Sequence, residues 1–292
     1  MPIVEVRNLV KTFSRHPAPW SPVSGVRAVD DVSFSIDEGE IFGLVGESGS
    51  GKTTTGRCML RLIEPSSGDF LFRGESVFGL RADRLRALRR EIQMVFQDPY
   101  ASLNPRMRAG AIVEEGLTIH GVGTHAERRA RVAELFALVG FDPAQRDRYP
   151  SEFSGGQRQR LGLARALALK PSFVVADEPV SALDVSIQAQ IINLFLDLQE
   201  RLALTLLFIS HDLRLVRHVC SRVAVMYCGR IVEMGPTSEV FRNAAHPYTR
   251  ALLSAVPSIH AADRMTRAAF DRSRSDARVP LREQAPGHWA AV

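Results

Sequence analysis

The stretch GESGSGKT, residues 46–53, decides the fold of this chain, because it fits G-x-x-x-x-G-K-[ST], the pattern of a loop that binds nucleotide phosphates. An apolar run, residues 41–45, precedes the loop and is typical of a buried strand. A helix-prone run from Thr54 to Leu62 follows it. The alternative is an ordinary Gly/Ser turn, but strand, glycine loop and helix together form the context that the motif needs. The sequence therefore predicts a nucleotide site.

The residues of this loop suit the chemistry of phosphate binding. Glycines let the backbone curl so that successive N–H groups face inward, and the N-terminus of the following helix adds positive potential. The ammonium group of Lys52 supplies a point charge to the outer phosphates, and the Thr53 hydroxyl can ligate Mg²⁺. We expect nucleotide contacts from Gly46, Glu47, Ser48, Gly49, Ser50, Gly51, Lys52, Thr53 and Thr54.

Length and hydropathy place the chain among globular proteins. Its 292 residues, 45% of them hydrophobic, suffice for one large domain or one domain with an inserted lobe. The longest apolar runs, such as residues 202–209, are too short to span a bilayer, and the N-terminus lacks the apolar centre of a signal peptide. We therefore expect the chain to stay in the cytosol and to reach a membrane only through a partner.

Charge and cysteine use narrow the possible partners. The net charge is +5, and much of the excess positive charge comes from arginines beyond residue 260. The default interpretation of these arginines is a solvated tail, and the less favoured one is a segment that contacts acidic lipid headgroups. We expect no nucleic-acid partner, because no base-stacking aromatic residues lie between these arginines.

Cys58, Cys220 and Cys228 lack metal-ligand spacing, and the last two are expected to be small core residues.

The pattern along the chain favours an α/β fold with an inserted helical lobe. Residues 3–13 and 28–36 alternate as half-buried strands do, whereas residues 98–149 are helical, with a capping box at Thr124 and Glu127. Helices and apolar strands then alternate, which indicates a largely parallel sheet with helices on its faces. The later elements are predicted as helix 155–169, strand 172–176, helix 185–202, strand 205–209 and hairpin 222–233, with a loosely ordered stretch after residue 257.

A pair of carboxylates ends the apolar strand at residues 173–176. Two acids at the carboxyl end of a strand, in a chain with a phosphate loop, predict a metal site with a base beside it. Asp177 would hold Mg²⁺ through water, and Glu178 would orient the attacking water. A solvated Asp-Glu turn is the alternative.

Three weaker signals accompany that pair. A second glycine turn, residues 154–157, opens a helix. Because a helix N-terminus attracts anions, this turn can be a second anion site, and we expect it to serve a nucleotide held by another copy or a partner. Such a turn on its own is usually only the start of a helix. Gln97 ends a strand and can act at the metal or the water, although a lone glutamine there is more often structural. His211 can contact a γ-phosphate, although a lone histidine is usually a satisfied polar residue.

Taken in order, these motifs resemble the ATP-binding cassette (ABC) family from residue 3 to about residue 257. The resemblance implies a P-loop NTPase fold with a mainly parallel sheet, an N-terminal antiparallel β part and the helical lobe, at about residues 98–160. It implies the glutamine loop at Gln97, the Mg²⁺ aspartate and catalytic glutamate at Asp177 and Glu178, and the switch histidine at His211. The signature falls on Ser154, Gly156 and Gln157, with Phe153 replacing the commoner leucine, and the dimer-contact loop falls on residues 181–184. The adenine-stacking aromatic is Phe13, with Trp20 as a rival.

Three further stretches, residues 94–106, 149–153 and 246–257, resemble the oligopeptide, dipeptide and nickel importer branch. They are not needed for ATP chemistry, so they indicate the branch rather than the fold. The division that follows is a nucleotide-binding domain at residues 1–257 and a tail of that branch's type at residues 258–292. Some members carry an iron–sulfur segment after the last stretch, but this chain has no cysteine beyond Cys228, so we expect no cluster.

The resemblance implies the ATPase subunit of a bacterial importer on the cytoplasmic side of the inner membrane, with ATP and Mg²⁺ as cofactors. The expected partners are a second ATPase subunit, two transmembrane permeases and, indirectly, a solute-binding protein outside the membrane. We expect the two ATPase subunits to form a heterodimer, because the branch usually pairs two different cassettes. Nickel, other metal chelates, glutathione or sugars remain alternatives to peptides as solutes. A soluble, non-transport member that remodels ribosomes or DNA is the rival from another class, disfavoured because such proteins usually fuse two cassettes.

Overall fold

A computed structural model describes residues 2–15, 24–255, 270 and 279–292. The strands are β1 (Pro2–Arg15), β2 (Ser24–Asp37), β3 (Ile41–Val45), β4 (Ser67–Phe72), β5 (Glu75–Ser76), β6 (Ile92–Val95), β7 (Phe173–Asp177), β8 (Thr205–Ser210), β9 (Arg222–Tyr227), β10 (Arg230–Pro236), β11 (Arg282–Ala285) and β12 (His288–Ala290). The helices are α1 (Lys52–Met59), α2 (Ala82–Leu88), α3 (Pro99–Ser102), α4 (Ala109–Ile119), α5 (His125–Leu138), α6 (Gly155–Leu167), α7 (Val185–Leu202), α8 (Leu213–Val219), α9 (Thr237–Arg242) and α10 (Pro247–Ser254).

The chain divides into two structural units. Unit 1 comprises Met1–Gly79 and Leu207–Val292, and unit 2 comprises Leu80–Leu206. The lobe predicted at about residues 98–160 lies within unit 2. The domain division at residue 257 stays a prediction.

Unit 1 contains an antiparallel sheet in the order β2-β1-β4-β5. Apolar side chains alternate along β1, and buried Val4 and Val6 pair with Phe72 and Phe70 of β4. This alternation is the pattern of a sheet with one buried face, and it confirms the predicted N-terminal antiparallel part.

The second sheet of unit 1 carries the phosphate loop. Its strands follow the order β11-β12-β10-β9-β3-β8, with β3 and β9 parallel and β9, β10 and β12 antiparallel in turn. All five residues of β3 are buried, which is why this strand is a continuous apolar run rather than an alternating one. The loop at residues 46–51 leaves the carboxyl end of β3 and leads directly into α1.

Unit 2 contains the second pair of parallel strands and most of the helices. Strands β6 and β7 pair in parallel from Ile92 opposite Phe173 to Val95 opposite Ala176. Between them the chain is helical, as predicted, with α3 to α5 and two 3-10 turns before α6. The capping box that begins α5 is confirmed: the Glu127 N–H donates to the Thr124 hydroxyl, and the Thr124 N–H donates to the Glu127 carboxylate at 2.7 Å.

Three predictions of local structure were wrong. The stretch after residue 257 was expected to be loosely ordered, yet its end forms the hairpin of β11 and β12, which pairs with β10. For residues 258–269 and 271–278 the expectation lies outside the described residues. Cys228 is not a core residue: it is exposed, with φ 47°, in the turn between β9 and β10, whereas Cys220 and Cys58 are buried. Helix α1 begins two residues earlier than predicted and ends at Met59, before Arg61 turns left-handed at φ 45°.

None of the helices in the described ranges combines the length and the apolarity that a membrane span requires.

Candidate functional site

The phosphate loop of unit 1 has a conformation that only glycine can adopt at two of its positions. Gly46 has φ 153°, and a Cβ there would lie 2.2 Å from the carbonyl oxygen of Met226 on β9. Gly51 has φ 108°, and a Cβ there would lie 2.2 Å from the carbonyl oxygen of Ala28 on β2. The loop is therefore wedged against two strands, and its shape depends on the absence of side chains.

Lys52 is the first residue of α1, and its side chain folds back over the loop. Its Nζ donates to the carbonyl oxygens of Gly46 and Glu47, both at 2.8 Å, and the side chain is 4% exposed. The residue before the helix, Gly51, has no side chain, so the N-cap position gives α1 no side-chain capping bond. This end of the helix, with an ammonium group above it, has the chemistry of an anion site.

The turn between β9 and β10 supports the loop, a role that sequence patterns did not predict. The Gly229 N–H donates to the Ser50 carbonyl oxygen at 3.0 Å, and the Gly229 carbonyl oxygen accepts from the Asp30 N–H at 2.8 Å. The hairpin around Gly229 was predicted, but its contact with the loop had no signal in the sequence. The loop is thus held from β2 and from the β9–β10 turn.

The carboxylate pair of unit 2 lies at the carboxyl end of β7. Asp177 is fully buried, and Glu178 follows it with φ 44°, a left-handed conformation that costs about 1–3 kcal/mol for a side chain of this kind. The Glu178 carboxylate accepts a hydrogen bond from Nε2 of Gln97 at 2.9 Å. The structure therefore brings together Gln97 and Glu178, which are 81 residues apart in sequence.

The segment after Glu178 forms a tight turn before α7. The Glu178 carbonyl oxygen accepts from the N–H of Ser181 at 3.3 Å and from its hydroxyl at 3.2 Å. Asp184 occupies the N-cap position of α7, although its side chain makes no capping bond. Residues 181–184, the expected dimer-contact loop, therefore lead from the carboxylate pair straight into that helix.

The second glycine turn, at the start of α6, is closed by its own side chains. The Ser154 hydroxyl accepts from the Gln157 N–H at 3.3 Å, and the Gln157 side chain accepts from the Ser154 N–H at 2.9 Å. A Cβ on Gly156 would lie 2.5 Å from Cγ2 of Ile187 on α7. Glycine is therefore needed here for close packing of α6 on α7.

Phe153, which replaces the expected leucine, belongs to an aromatic cluster. Its ring centroid lies 5.4 Å from that of Phe141, which is itself 5.4 Å from that of Phe136 on α5. All three side chains are buried. The bulkier residue at this position therefore fills space between the start of α6 and the end of α5. Packing in the core of unit 2 thus accounts for a phenylalanine in place of leucine.

The two remaining predicted residues lie in unit 1. His211 is exposed and directly follows β8. Phe13 is 42% exposed on β1, with Nζ of Lys11 5.0 Å from its ring centroid. Trp20, its rival for adenine stacking, lies outside the described residues. The roles of Phe13 and His211 stay predictions.

Two family models match the chain. One, described as ABC transporter, matches residues 29–181, and the other, described as the C-terminal region of oligopeptide/dipeptide transporters, matches residues 232–279. The dipeptide transport ATP-binding protein DppF of Lactococcus lactis is 54% identical over 259 residues, which cover 88% of this chain and 81% of DppF. The oligopeptide transport ATP-binding protein OppF of Bacillus subtilis is 52% identical over 257 residues, which cover 87% of this chain and 82% of OppF.

A solved structure is also similar. The ATP-binding cassette MJ0796, solved as a dimer in a post-hydrolysis state bound to ADP and Pi, is 30% identical with a TM-score of 0.71. The match covers 80% of this chain and 98% of the cassette. The similarity confirms the predicted fold class.

Proposed function

This chain belongs to the ABC transporter family, and on that premise we propose that it powers an importer for oligopeptides, dipeptides or similar solutes. Family membership makes it an ATPase whose hydrolysis of ATP is coupled to transport. The observation that carries the peptide assignment is the match of residues 232–279 to the C-terminal region of oligopeptide/dipeptide transporters. Together with the names of relatives at 52–54% identity, it favours peptides over nickel, glutathione or sugars.

The proposed hydrolytic step uses Glu178 as the group that orients and activates water. Its carboxylate is nearly buried and is held by the amide of Gln97 at 2.9 Å, so it has a fixed direction. A carboxylate held in this way can accept a hydrogen bond from water and take its proton as the water attacks the γ-phosphorus. We assign contact with the γ-phosphate to His211 and cover of the adenine to Phe13.

Magnesium belongs to the same proposal. The proposed magnesium-binding groups are the Thr53 hydroxyl, the Gln97 amide oxygen and, through water, the Asp177 carboxylate, which are oxygen donors of the kind that Mg²⁺ prefers. Because Nε2 of Gln97 donates to Glu178, its amide oxygen is the atom left for a metal. Bound there, the ion would neutralise charge on the β- and γ-phosphates.

The subunit works with partners, as members of this family do: a second ATPase and membrane permeases. We propose that the second ATPase is a different chain, and that each nucleotide lies between Lys52 of one subunit and Ser154, Gly156 and Gln157 of the other. ATP would then close the pair, and hydrolysis would remove the γ-phosphate that joins them. In this arrangement the chain acts at the cytoplasmic side of the inner membrane, and an external solute-binding protein selects the solute.

The variant Glu178→Gln tests the hydrolytic assignment. It keeps the shape and the contact with Gln97 but removes the base, so turnover should fall about 10²–10⁴-fold while ATP affinity stays near that of the parent chain. Turnover is measured as phosphate release by the complete transporter. Glu134→Gln is the matched control, because Glu134 is an exposed carboxylate of the same unit whose surface ion pair with Arg131 contributes little to stability. Near-normal turnover in Glu178→Gln would remove Glu178 from this role.

The solute is tested by uptake. Proteoliposomes that contain the complete transporter, with its binding protein added, should take up labelled di- and oligopeptides in the presence of ATP, and Glu178→Gln should abolish that uptake. Unlabelled peptides should compete, whereas a nickel chelate, glutathione or a sugar should not. ATP-driven uptake of one of those three without peptide uptake would replace the peptide assignment while leaving the ATPase intact.

A further inference from the structure

The last described helix, α10, reaches the phosphate loop of the same unit. The hydroxyl of Tyr248, in the first turn of that helix, accepts a hydrogen bond from the backbone N–H of Glu47 at 3.0 Å. Tyr248 is 2% exposed, and the two residues are 201 positions apart in sequence. Glu47 is itself exposed, but the hydrogen bond is partly buried, so the hydroxyl gives this N–H an acceptor on the side of the loop that faces the protein.

Glu47 connects this contact with the lysine of the loop. Its N–H donates to Tyr248, and its carbonyl oxygen accepts from Nζ of Lys52 at 2.8 Å. The conformation of one loop residue thus determines where the tyrosine acceptor and the lysine acceptor both lie. A rotation of the backbone at Glu47 would move an oxygen atom that helps to direct the ammonium group.

The ring of Tyr248 is held by aromatic packing. Its centroid lies 4.5 Å from that of Tyr227, the last residue of β9, and 5.3 Å from that of Phe270. Burial raises the pKa of the Tyr248 hydroxyl to about 12, so the group stays neutral and protonated at physiological pH. The acceptor is therefore fixed both in position and in protonation state.

A buried polar network fixes the start of α10. Nδ1 of His246, the N-cap, accepts from the Tyr248 N–H at 3.1 Å. The Glu233 carboxylate on β10, which has no exposed surface, accepts from the N–H groups of Ala245 at 2.7 Å and His246 at 3.1 Å. It also lies 2.7 Å from Nε2 of His288 on β12. The C-terminal hairpin is thus joined through Glu233 to the residue that contacts the phosphate loop.

We propose that Tyr248 is a positioning residue for nucleotide binding, which acts through the Glu47 peptide group. Strand β10, helix α10 and strand β12 then set how fully the phosphate loop is formed before ATP arrives, which gives elements near the C-terminus a role in the ATP cycle. The proposal rests on the proposed function, namely that the loop binds ATP. It is separate from the hydrolytic assignment, because Tyr248 contacts the loop and no reacting atom.

The test is Tyr248→Phe in the full-length chain, with ATP affinity measured by titration calorimetry in the presence of Mg²⁺. The ring and its packing remain, but the part-buried Glu47 N–H loses its acceptor, so ATP binding should weaken several-fold, up to about tenfold. In the complete transporter the KM for ATP should rise by a similar factor while kcat changes less than about twofold. A rise in KM without a matching fall in kcat is what a merely structural role of the tyrosine would not produce. Amide hydrogen exchange at Glu47 should accelerate, because its N–H has lost its acceptor.

Thr249→Val is the matched control. Thr249 is the next residue of the same helix and equally buried, but its hydroxyl has no hydrogen-bond partner among the described residues, so ATP affinity should not change. Unchanged ATP affinity in Tyr248→Phe would overturn the inference, whatever the exchange rate at Glu47. Failure of the parent chain to bind ATP would overturn the proposed function instead.

A second variant covers the case in which Tyr248→Phe does not fold. His288→Gln replaces the ring on β12 that contacts Glu233, so α10 is held less firmly at its start and ATP affinity should fall about threefold. In that case, affinity equal to that of the parent chain would overturn the inference.

Discussion

The chain has two glycine turns that open helices, at α1 and at α6, and they are built on different physics. In the first, Gly46 and Gly51 have positive φ and lie against backbone oxygens, and no side chain caps the helix. In the second, no glycine has positive φ, and the Ser154 and Gln157 side chains close the helix start themselves. Similar composition thus gives one helix start without a side-chain cap and one that is capped by its own side chains.

The difference shows what each turn must do to bind an anion. The phosphate loop has its shape in place, and its lysine already lies over it. The turn at α6 must exchange the hydrogen bonds of its capping box for bonds to a phosphate. We expect the first to bind nucleotide in the isolated chain and the second to contribute only when a partner presents one.

The largest effect is expected for Gly51→Ala. Its new Cβ would meet the Ala28 carbonyl oxygen at 2.2 Å, and φ 108° is unfavourable for any side chain, so ATP affinity should fall at least about 100-fold. Gly49→Ala is the control, because φ is 82° but nothing lies within 4 Å of the new Cβ, and the loss should be about tenfold or less. Equal losses in titrations with a fluorescent ATP analogue would show that conformation alone, rather than the wedge against β2, shapes the loop.

The next effect concerns Gly156→Ala, which should reduce stability and not ATP binding. The new Cβ would lie 2.5 Å from Cγ2 of Ile187, so the free energy of unfolding should fall by about 1–3 kcal/mol in urea titrations. Adding Ile187→Ala should recover part of the lost free energy of unfolding, because it removes the side chain that the new Cβ would meet. Gly162→Ala, in the same helix with open space around its Cβ, should instead stabilise by about 0.5–1 kcal/mol. A large loss of ATP affinity in the isolated Gly156→Ala chain would contradict the comparison.

A smaller effect separates the two roles of Ser154. Ser154→Ala removes the cap of α6 and should lower the free energy of unfolding by about 1 kcal/mol. Ser154→Asp keeps a capping oxygen and should be close to the parent chain in stability, but it places a negative charge where the partner's phosphate is proposed to bind. ATP-dependent association, measured by light scattering with both subunits, should therefore fail in Ser154→Asp. Normal association would exclude the turn from the nucleotide site.

The smallest effect extends the comparison to a third helix start, that of α10, whose cap can titrate. Burial lowers the pKa of His246, an effect that Glu233 opposes and Arg250 reinforces, so the unfolded chain takes up the proton first as pH falls. The free energy of unfolding should therefore decrease as pH falls below about 6.5. In His246→Asn, a cap that does not titrate, the decrease should be shallower. Identical pH profiles from urea titrations would show that this cap does not titrate with unfolding.

The phosphate loop and the carboxylates could be found from sequence because their chemistry requires fixed residues at fixed spacing. Helix α7 was predicted with the bounds that the structure shows, Val185–Leu202, because its apolar period is local and continuous. The contact of Tyr248 with Glu47 could not be predicted, since it joins positions 201 residues apart and leaves no local pattern. The tyrosine was part of a branch-specific stretch, but nothing in that stretch indicated what it contacts.

The C-terminal hairpin was missed for a different reason. Strand β11 has the sequence REQA and is largely exposed, so it shows neither apolar alternation nor a continuous apolar run. It forms by backbone pairing with β12, which in turn pairs with β10 through Glu233 and Met234. A strand that forms through backbone pairing with an adjacent strand cannot be recognised from the pattern of its own side chains.

That hairpin also covers an edge of the second sheet. Without β12, the backbone N–H and C=O groups along one edge of β10, the strand that carries Ile231 and Val232, would lose their partners. Such an exposed strand edge can pair with strands of other chains. With it, the outermost strand is short and carries Arg282 and Glu283, whose charges discourage such pairing. Chains shortened before residue 282 should therefore precipitate at concentrations where the intact protein stays in solution.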